Sequence, residues 1–266
     1  MLEKCPFCHH TRAEIYRAGQ ELKSGGRRDV YACSECGTLY PRPRPDAAGA
    51  REHLSSAAPR YEDPSKAEGN DPLLGLLRKH APRRGKALDI GASSGSFCRL
   101  LEGLGFEAHG LEPQEGARKI AAAAGLRVHA GSFPSEVPGE LVGMRFALVS
   151  MLESIYYLVD LEEGLTRASD LLEDRGLLLV KCHQGRSGYY DGGSSLFRRF
   201  GDHVQGIPTL QSLRHCLAKT GFEVVHLSGS GPASDGLLGR LLSRVRDSLF
   251  LDLDKADRLV VLAAKR

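Results

Sequence analysis

Four of the seven cysteines lie in two C-x2-C pairs, Cys5 with Cys8 and Cys33 with Cys36. Such a turn directs two thiolates towards one centre, and two turns can close a tetrahedral Zn²⁺ site. A redox pair or four incidental thiols are the alternatives, but the repeated spacing favours a metal. Two short strands are expected around residues 24–27. The sequence therefore predicts a zinc ribbon, too small to fold without its metal, whose closed site is structural rather than catalytic.

A glycine-rich turn follows the apolar run at residues 87–90. Gly91 and Gly95 permit tight backbone turning and close approach of a ligand, and the helix predicted after the turn offers outward N–H donors. Glu112 ends the next apolar run, where a carboxylate can accept hydrogen bonds from a ribose diol. Together, the turn and the acid predict a site for a nucleoside-containing ligand.

The elements that must position these residues alternate between strand and helix from residue 86 onwards. Strands are expected at 87–90, 107–111, 127–129, 146–150, 176–181, 223–227 and 258–263, with helices at 97–104, 117–124, 161–173 and 209–220. Apolar strands between helices indicate a parallel sheet covered on both faces. The predicted fold class is α/β, a doubly wound, mostly parallel seven-stranded sheet preceded by a small zinc ribbon. Its ligand should lie beyond the carboxyl ends of the strands.

Three parts of the chain are expected. Residues 1–45 form the ribbon and a linker, because the prolines from residue 40 to 45 cannot donate to a sheet ladder. Residues 46–80 form a helical cap, and residues 81–266 form the domain that contains the sheet. Within that domain, the glycine-rich stretch 184–207 is predicted to be a lid or acceptor loop. The insertion 229–254 is predicted to end in an amphipathic helix that packs on the sheet or on another subunit.

Length and composition exclude several classes of protein. A chain of 266 residues with 41% hydrophobic residues can bury a core, and its 26% charged residues do not indicate disorder. A net charge of +3 is too small to indicate a nucleic-acid-binding protein. No run approaches 18 apolar residues, so no membrane span is expected. The N-terminus lacks the apolar segment of a secretory signal, which predicts a cytoplasmic location; the oligomeric state is left open.

The turn at residues 91–95 superficially matches that of short-chain dehydrogenases. Those proteins use a Tyr-x-x-x-Lys pair, and no tyrosine of this chain has a lysine four positions later. Residues 88–97 instead resemble the first motif of class I S-adenosylmethionine-dependent methyltransferases, with Ser93 where the commonest pattern has glycine. Residues 110–113, 130–133 and 171–180 resemble later motifs of that family, and the resemblance spans about residues 85–228. The ribbon with residues 37–43 is similar to a bacterial subgroup that modifies sugar nucleotides, polysaccharides or other specialised metabolites.

The resemblance implies S-adenosyl-L-methionine as the methyl donor and assigns roles to particular positions. Gly91, Ser93 and Gly95 would lie against the methionine part and the ribose, with Asp89 supporting the turn. Glu112 would hold the ribose hydroxyls. The adenine and the methyl-donor pocket would be bordered by Pro113, Ser132, Phe133, Met151 and Leu152. Plain core packing is an equal alternative for Phe133 and Met151.

The candidate catalytic residues are Tyr157, His183 and Glu153. A carbon or hydroxyl acceptor must lose a proton to a nearby base. Many members of the subgroup carry a His-x-Leu-Glu-His-like run after the fourth strand; this chain has Glu153 at the first histidine position and Tyr157 at the second. His183 follows the fifth strand, and histidine suits proton transfer at neutral pH. His203 is a weaker candidate. The tyrosine pairs at 156–157 and 189–190 are predicted to form aromatic walls or to pack in the core.

Three functions are compatible with these patterns. The first is methylation of a small-molecule acceptor, such as a sugar nucleotide or a natural-product intermediate. The second is methylation of an RNA base, which predicts basic charge clustered at the cleft; arginines at 27–28, 42, 44 and 83–84 supply some. The third is a non-catalytic interaction protein that uses the ribbon, which the intact turn and Glu112 disfavour. We therefore expect a methyltransferase with a small-molecule partner.

Overall fold

The computed structural model describes residues 4–45, 63–64, 72–81, 85–186, 197, 200–230 and 253–266. The described residues form two sheets with helices around the larger one. The strands are β1 Ala13–Glu21, β2 Arg27–Cys33, β3 Leu39–Arg42, β4 Gly85–Ile90, β5 Phe106–Glu112, β6 Arg127–Ala130, β7 Phe146–Leu152, β8 Leu172–His183, β9 Phe222–Ser230 and β10 Arg258–Lys265. The α-helices are α1 Pro72–His80, α2 Ser96–Gly103, α3 Glu115–Ala123, α4 Gly139–Val142, α5 Leu161–Leu171 and α6 Leu210–Lys219.

The ribbon is an antiparallel sheet in the order β1-β2-β3. The two expected strands are present, and β3 is a third strand where the prolines predicted a linker. Pro41 lies opposite Val30 in this ladder. The missing N–H of a proline is tolerated there because β3 is the edge strand of the ribbon sheet.

The ribbon is attached to the domain that contains the larger sheet by an isolated backbone bridge and by a shared core. Leu39 and Ile207 exchange two backbone hydrogen bonds, of 3.1 and 2.7 Å. Phe7 and Tyr40 are fully buried in the same apolar cluster as Tyr156. The ribbon therefore packs directly on the region that follows β7.

The larger sheet has the order β6-β5-β4-β7-β8-β10-β9. Strands β4 to β8 are parallel, and β10 lies antiparallel between β8 and β9. This architecture confirms the predicted doubly wound, mostly parallel seven-stranded sheet. From β4 the chain adds strands first on one side and then on the other, so the order reverses between β4 and β7. The carboxyl ends of these two strands define the crevice in which open α/β sheets bind ligands.

Two helices begin at this edge of the sheet. Gly95, with φ 85°, precedes α2, which buries Phe97, Cys98 and Leu101 against the sheet. Asp160 caps α5 by accepting a hydrogen bond from the backbone N–H of Glu163 at 3.0 Å, which satisfies a donor that the first turn of a helix leaves unpaired.

Several expected segments fall partly outside the described residues. Of the predicted helical cap, α1 is described, with three of its leucines buried. Residues 46–62, 65–71, 187–196 and 231–252 lie outside, and with them Tyr189, Tyr190 and most of the predicted insertion. In the described part of the chain, no helix is both long and apolar enough to cross a membrane.

Candidate functional site

A cavity of about 560 Å³ opens at the carboxyl ends of β4, β5 and β7, at the reversal of strand order. Its wall is formed by the turn after β4, the end of β5, the loop after β6 and the segment that joins β7 to α5. The structure brings nine of the predicted site residues to this wall: Gly91, Ser93, Glu112, Pro113, Ser132, Phe133, Leu152, Glu153 and Tyr157. Asp89, Gly95, Met151 and His183 are not among the lining residues.

The turn after β4 lies close to the segment after β7. Gly91 has φ 80°, and a Cβ placed on it would lie 2.8 Å from Cβ of Ser154. Ser154 in turn donates a hydrogen bond from its hydroxyl to the carbonyl of Ile90, at 2.8 Å. The glycine is required here because any side chain would force the turn and the opposite wall apart.

Glu112 is buried, with 7% of its surface exposed, and both of its carboxylate oxygens are held. Oε2 accepts from the backbone N–H of Ser93, and Oε1 from that of Gln114, each at 2.9 Å. Burial raises the pKa of Glu112, and the two N–H donors together with the Arg118 cation oppose that rise. Each carboxylate oxygen can accept a further hydrogen bond, so the fixed carboxylate can receive the hydroxyls of a ribose.

Asp89 lies beneath the turn rather than in the cavity. It is almost fully buried and accepts a hydrogen bond from the hydroxyl of Ser150, at 2.6 Å. Burial raises the pKa of Asp89 to about 7; the hydrogen bond from Ser150 opposes this rise, and the charge of Glu112 adds to it. Its position matches a role in supporting the turn.

Gly95 and Met151 do not line the cavity, because both are packed against other residues of the domain. A Cβ on Gly95 would lie 2.7 Å from Leu126. Met151 is completely buried in the core, and its neighbour Leu152 lines the cavity instead. Successive side chains of a strand point to opposite faces, so only one of these two residues can face the ligand.

Glu153 lines the cavity and has a strained backbone. Its φ is 58°, in the left-handed region that residues other than glycine seldom adopt. Its Oε2 accepts a hydrogen bond from the hydroxyl of buried Tyr156 at 2.7 Å, and that hydroxyl accepts one from the backbone N–H of His183. Such strain persists where surrounding contacts enforce it, and it is concentrated at functional sites.

His183 lies behind Glu153, 5% exposed, and both of its ring nitrogens are engaged. The guanidinium of Arg258 donates to Nε2 at 3.1 Å, and Nδ1 lies 3.2 Å from Oδ2 of Asp257. Because arginine can only donate, Nε2 is the acceptor and Nδ1 carries the proton that is donated to Asp257. Sequence reasoning missed Asp257 and Arg258; their only signal was a pair of charges at the start of the last apolar strand.

Tyr157 lines the cavity, and its hydroxyl donates to the carbonyl of Phe200 at 3.0 Å. Burial and the nearby charge of Glu153 raise the pKa of Tyr157. The side chain therefore stays a neutral phenol, suited to walling a pocket rather than to accepting a proton. His203 is not a lining residue of this cavity.

The four ribbon cysteines form one cluster, with all Sγ atoms within 4.8 Å of one another. Sγ of Cys5 lies 3.7 Å from that of Cys36, and Sγ of Cys8 lies 3.6 Å from that of Cys33. Zn–S bonds of about 2.3 Å in a tetrahedron place sulfurs about 3.8 Å apart. The cluster therefore fits a zinc ion.

A family model described as a methyltransferase domain matches residues 65–227. No curated protein matches the sequence significantly. Solved structures of S-adenosylmethionine-dependent methyltransferases share the fold. One from Mesorhizobium loti is 19% identical, with a TM-score of 0.54 over 72% of this chain and 97% of that one. One from Thermotoga maritima is 20% identical, with a TM-score of 0.52 over 72% of this chain and 86% of that one. One from Archaeoglobus fulgidus is 17% identical, with a TM-score of 0.52 over 72% of this chain and 92% of that one.

The matched span covers more than half of the chain and contains the turn, Glu112 and the segment between β7 and α5. The chain therefore belongs to the methyltransferase-domain family, with the fold of the S-adenosylmethionine-dependent methyltransferases.

Proposed function

We propose that this protein transfers a methyl group from S-adenosyl-L-methionine to a small-molecule acceptor in the cavity at the carboxyl edge of the sheet. One observation supports this most directly. The cavity that exposes the glycine turn and the fixed carboxylate of Glu112 also exposes Glu153 and Tyr157 on its other wall. A donor held at the first wall would therefore meet an acceptor held at the second.

The donor contacts follow from the lining residues. Gly91 and Ser93 would lie against the methionine part and the ribose, and Glu112 would accept hydrogen bonds from the ribose hydroxyls. Pro113, Ser132 and Phe133 would border the adenine. When bound, the donor supplies an electrophilic methyl group on a sulfonium. The protein's part is to align the acceptor with that group, and such alignment supplies much of the acceleration.

Glu153 is the proposed base. Glu153 lines the cavity and its side chain is partly exposed, whereas Tyr157 is kept protonated and His183 is enclosed by Asp257 and Arg258. Tyr156 donates to Oε2 of Glu153 and fixes its orientation. Glu153 would accept the proton that the acceptor loses on methylation.

The charges of the lining residues limit the chemical classes of acceptor that the cavity favours. The described lining residues include four acids, Glu112, Glu153, Asp160 and Glu163. No lysine, arginine or histidine is among the described lining residues. A diphosphate or an RNA backbone needs cationic partners. This wall therefore favours a neutral or cationic natural-product intermediate over a sugar nucleotide and over RNA.

The ribbon is proposed to hold one structural Zn²⁺ through Cys5, Cys8, Cys33 and Cys36. Four thiolates complete a tetrahedral shell and leave no position for a substrate. The metal would therefore stabilise the ribbon and take no direct part in methyl transfer.

Titration calorimetry with S-adenosylhomocysteine tests the donor site. We expect one site per chain and no heat with a nicotinamide dinucleotide; the opposite pattern would refute the proposal. Methyl transfer from labelled donor to a panel of amines, alcohols, sugar nucleotides and RNA then tests the acceptor. Incorporation into RNA, with retention that weakens steeply as salt rises, would replace the small-molecule proposal by the RNA alternative.

A further inference from the structure

The segment that joins β7 to α5 forms much of the cavity wall but has little regular structure. Together with Leu152, the last residue of β7, it supplies seven residues that line the cavity: Leu152, Glu153, Ser154, Tyr157, Leu158, Val159 and Asp160. Its only regular element is the short 3-10 turn Ile155–Tyr157. A binding wall of this kind must be held by contacts from outside the segment.

At the end of the segment that adjoins α5, such contacts come from the ribbon and from the residues that directly follow β3, and they meet three consecutive residues. The guanidinium of Arg44 donates to the carbonyl of Val159 at 2.5 Å. The ring of His9 donates to Oδ2 of Asp160 at 2.5 Å. The backbone N–H of Leu161 donates to the carbonyl of Pro6 at 2.9 Å. Pro6 and His9 belong to, or directly follow, the first C-x2-C turn.

His9 takes up this position through a strained conformation. Its φ is 61°, a left-handed value that asparagine and glycine adopt more readily. Its backbone N–H donates to the carbonyl of Cys5 at 3.0 Å, so the cysteine turn fixes where the ring projects. Asp160, which receives the ring, also caps α5 and lines the cavity.

Further contacts connect the first C-x2-C turn with the wall segment through α6 and the residues that precede it. The thiol of Cys216 on α6 donates to the carbonyl of Phe7 at 3.2 Å. Gly206 leaves room for Phe7 and Pro6, whose carbons would lie 2.9 and 3.0 Å from a Cβ placed there. The next residue back, Gln205, donates its backbone N–H to the carbonyl of Tyr156 at 2.8 Å. The cysteine turn is thus packed against both the wall segment and the residues that support it.

We propose that His9 is a positioning residue of the active site, through which the metal-bound ribbon fixes the wall segment 152–160 in its ligand-binding shape. This inference rests on the proposed function of the cavity. It gives the ribbon a role in the reaction beyond the stability of its own fold, because the Asp160 carboxylate joins the ribbon, the cap of α5 and the cavity.

The test compares three substitutions with the wild type. His9→Gly relieves the backbone strain and removes the ring, whereas His9→Gln removes the ring but keeps an N–H donor with about the reach of Nε2, the ring atom that contacts Asp160. His10→Ala is the matched control, since its side chain makes no described hydrogen bond to the wall segment. The readouts are zinc content, thermal midpoint, affinity for S-adenosylhomocysteine and amide hydrogen exchange over residues 154–161.

We expect His9→Gly to retain one zinc per chain, to bind S-adenosylhomocysteine about two- to fivefold more weakly, and to exchange the amides of 154–161 several-fold faster. His9→Gln should recover most of both losses, and His10→Ala should match the wild type. Wild-type affinity and exchange in His9→Gly would overturn the proposal. So would loss of zinc from that variant, since His9 would then act on the metal site. Absence of binding by the wild type would refute the proposed donor site itself.

Discussion

The carboxylate of Glu112 at the end of β5 accepts a hydrogen bond from the backbone N–H of Ser93, 19 positions earlier in the turn after β4, at 2.9 Å. Two motifs that are separate in the sequence therefore form one surface. The carboxylate that would receive the ribose also fixes the turn on which the rest of the donor would lie.

Replacing Glu112 by glutamine should weaken binding of S-adenosylhomocysteine about 10- to 100-fold. One acceptor oxygen becomes an NH₂ group that cannot accept from Ser93 or Gln114, and loss of a hydrogen bond to a charged group costs about 1.5–3 kcal/mol. Calorimetry measures the change. Glu115→Gln, at an exposed site at the start of α3, is the matched control and should bind normally; equal affinities in both variants would remove Glu112 from the site.

Replacing Glu153 by glutamine should lower kcat about 10²- to 10⁴-fold, the usual contribution of a general base, and leave the affinity for S-adenosylhomocysteine within about threefold. Steady-state kinetics with an acceptor found in the panel measures the loss. Tyr157→Phe keeps the ring and loses only the bond to Phe200, so its rate should fall much less. A full rate in Glu153→Gln would mean that the proton leaves by another route.

Replacing Ser93 by glycine should stabilise the protein by about 0.5–1 kcal/mol. Ser93 has φ 50°, and an L-residue in the left-handed region costs about 1–2 kcal/mol, partly offset by the greater freedom of glycine in the unfolded chain. Urea unfolding measures the gain. Ser93→Ala keeps the strain and should show no gain. Both variants retain the N–H that Glu112 accepts, so both should bind the donor analogue normally.

Asp89 should make the folded protein less stable as pH rises from about 4 to about 7. Burial raises its pKa to about 7 when folded, above the value of about 3.9 in an unfolded chain. Within that window the folded state keeps a proton that the unfolded state releases, so the free energy of unfolding falls with rising pH by about 1.4 kcal/mol for each pH unit. Asp89→Asn has no ionisable group at this position and therefore lacks this pH dependence of the free energy of unfolding. The difference between wild type and variant in urea unfolding should fall between pH 5 and pH 7; a constant difference would contradict the assignment.

Purified protein should contain one zinc per chain, and Cys8→Ser should lose it, with a lowered thermal midpoint, because ribbon modules depend on their metal for folding. Elemental analysis gives the content. Cys98→Ala removes a buried thiol outside the cluster and should keep the metal. Undamaged protein without zinc would remove the four-thiolate site.

The larger sheet could be predicted because most of its strands, β4, β5, β7, β8 and β10, contain apolar runs that are largely buried. The third ribbon strand could not. The prolines that hid it are incompatible with an inner strand but acceptable on an edge, and the partner of Leu39 is Ile207, far away in the chain. Local patterns contain no information about such a pairing.

The candidate site was predictable where one motif contains its own geometry, as in the turn and Glu112. Met151 and Leu152 could not be distinguished, because the face that each presents depends on the register of β7. The enclosure of His183 by Asp257 and Arg258 depends on β10 running antiparallel beside β8, which pairs Arg258 with His183. Single-sequence patterns predict that a last strand exists, but not which strand it joins.

The place of β10 between β8 and β9 has a consequence for biosynthesis. During translation, β9 emerges from the ribosome before the strand that must separate it from β8. The seven-stranded sheet therefore cannot be completed until residues 258–265 have also emerged. We infer that the nascent chain keeps an incomplete, chaperone-accessible sheet edge until β10 has emerged, and that the enclosure of His183 is among the last parts of the site to assemble.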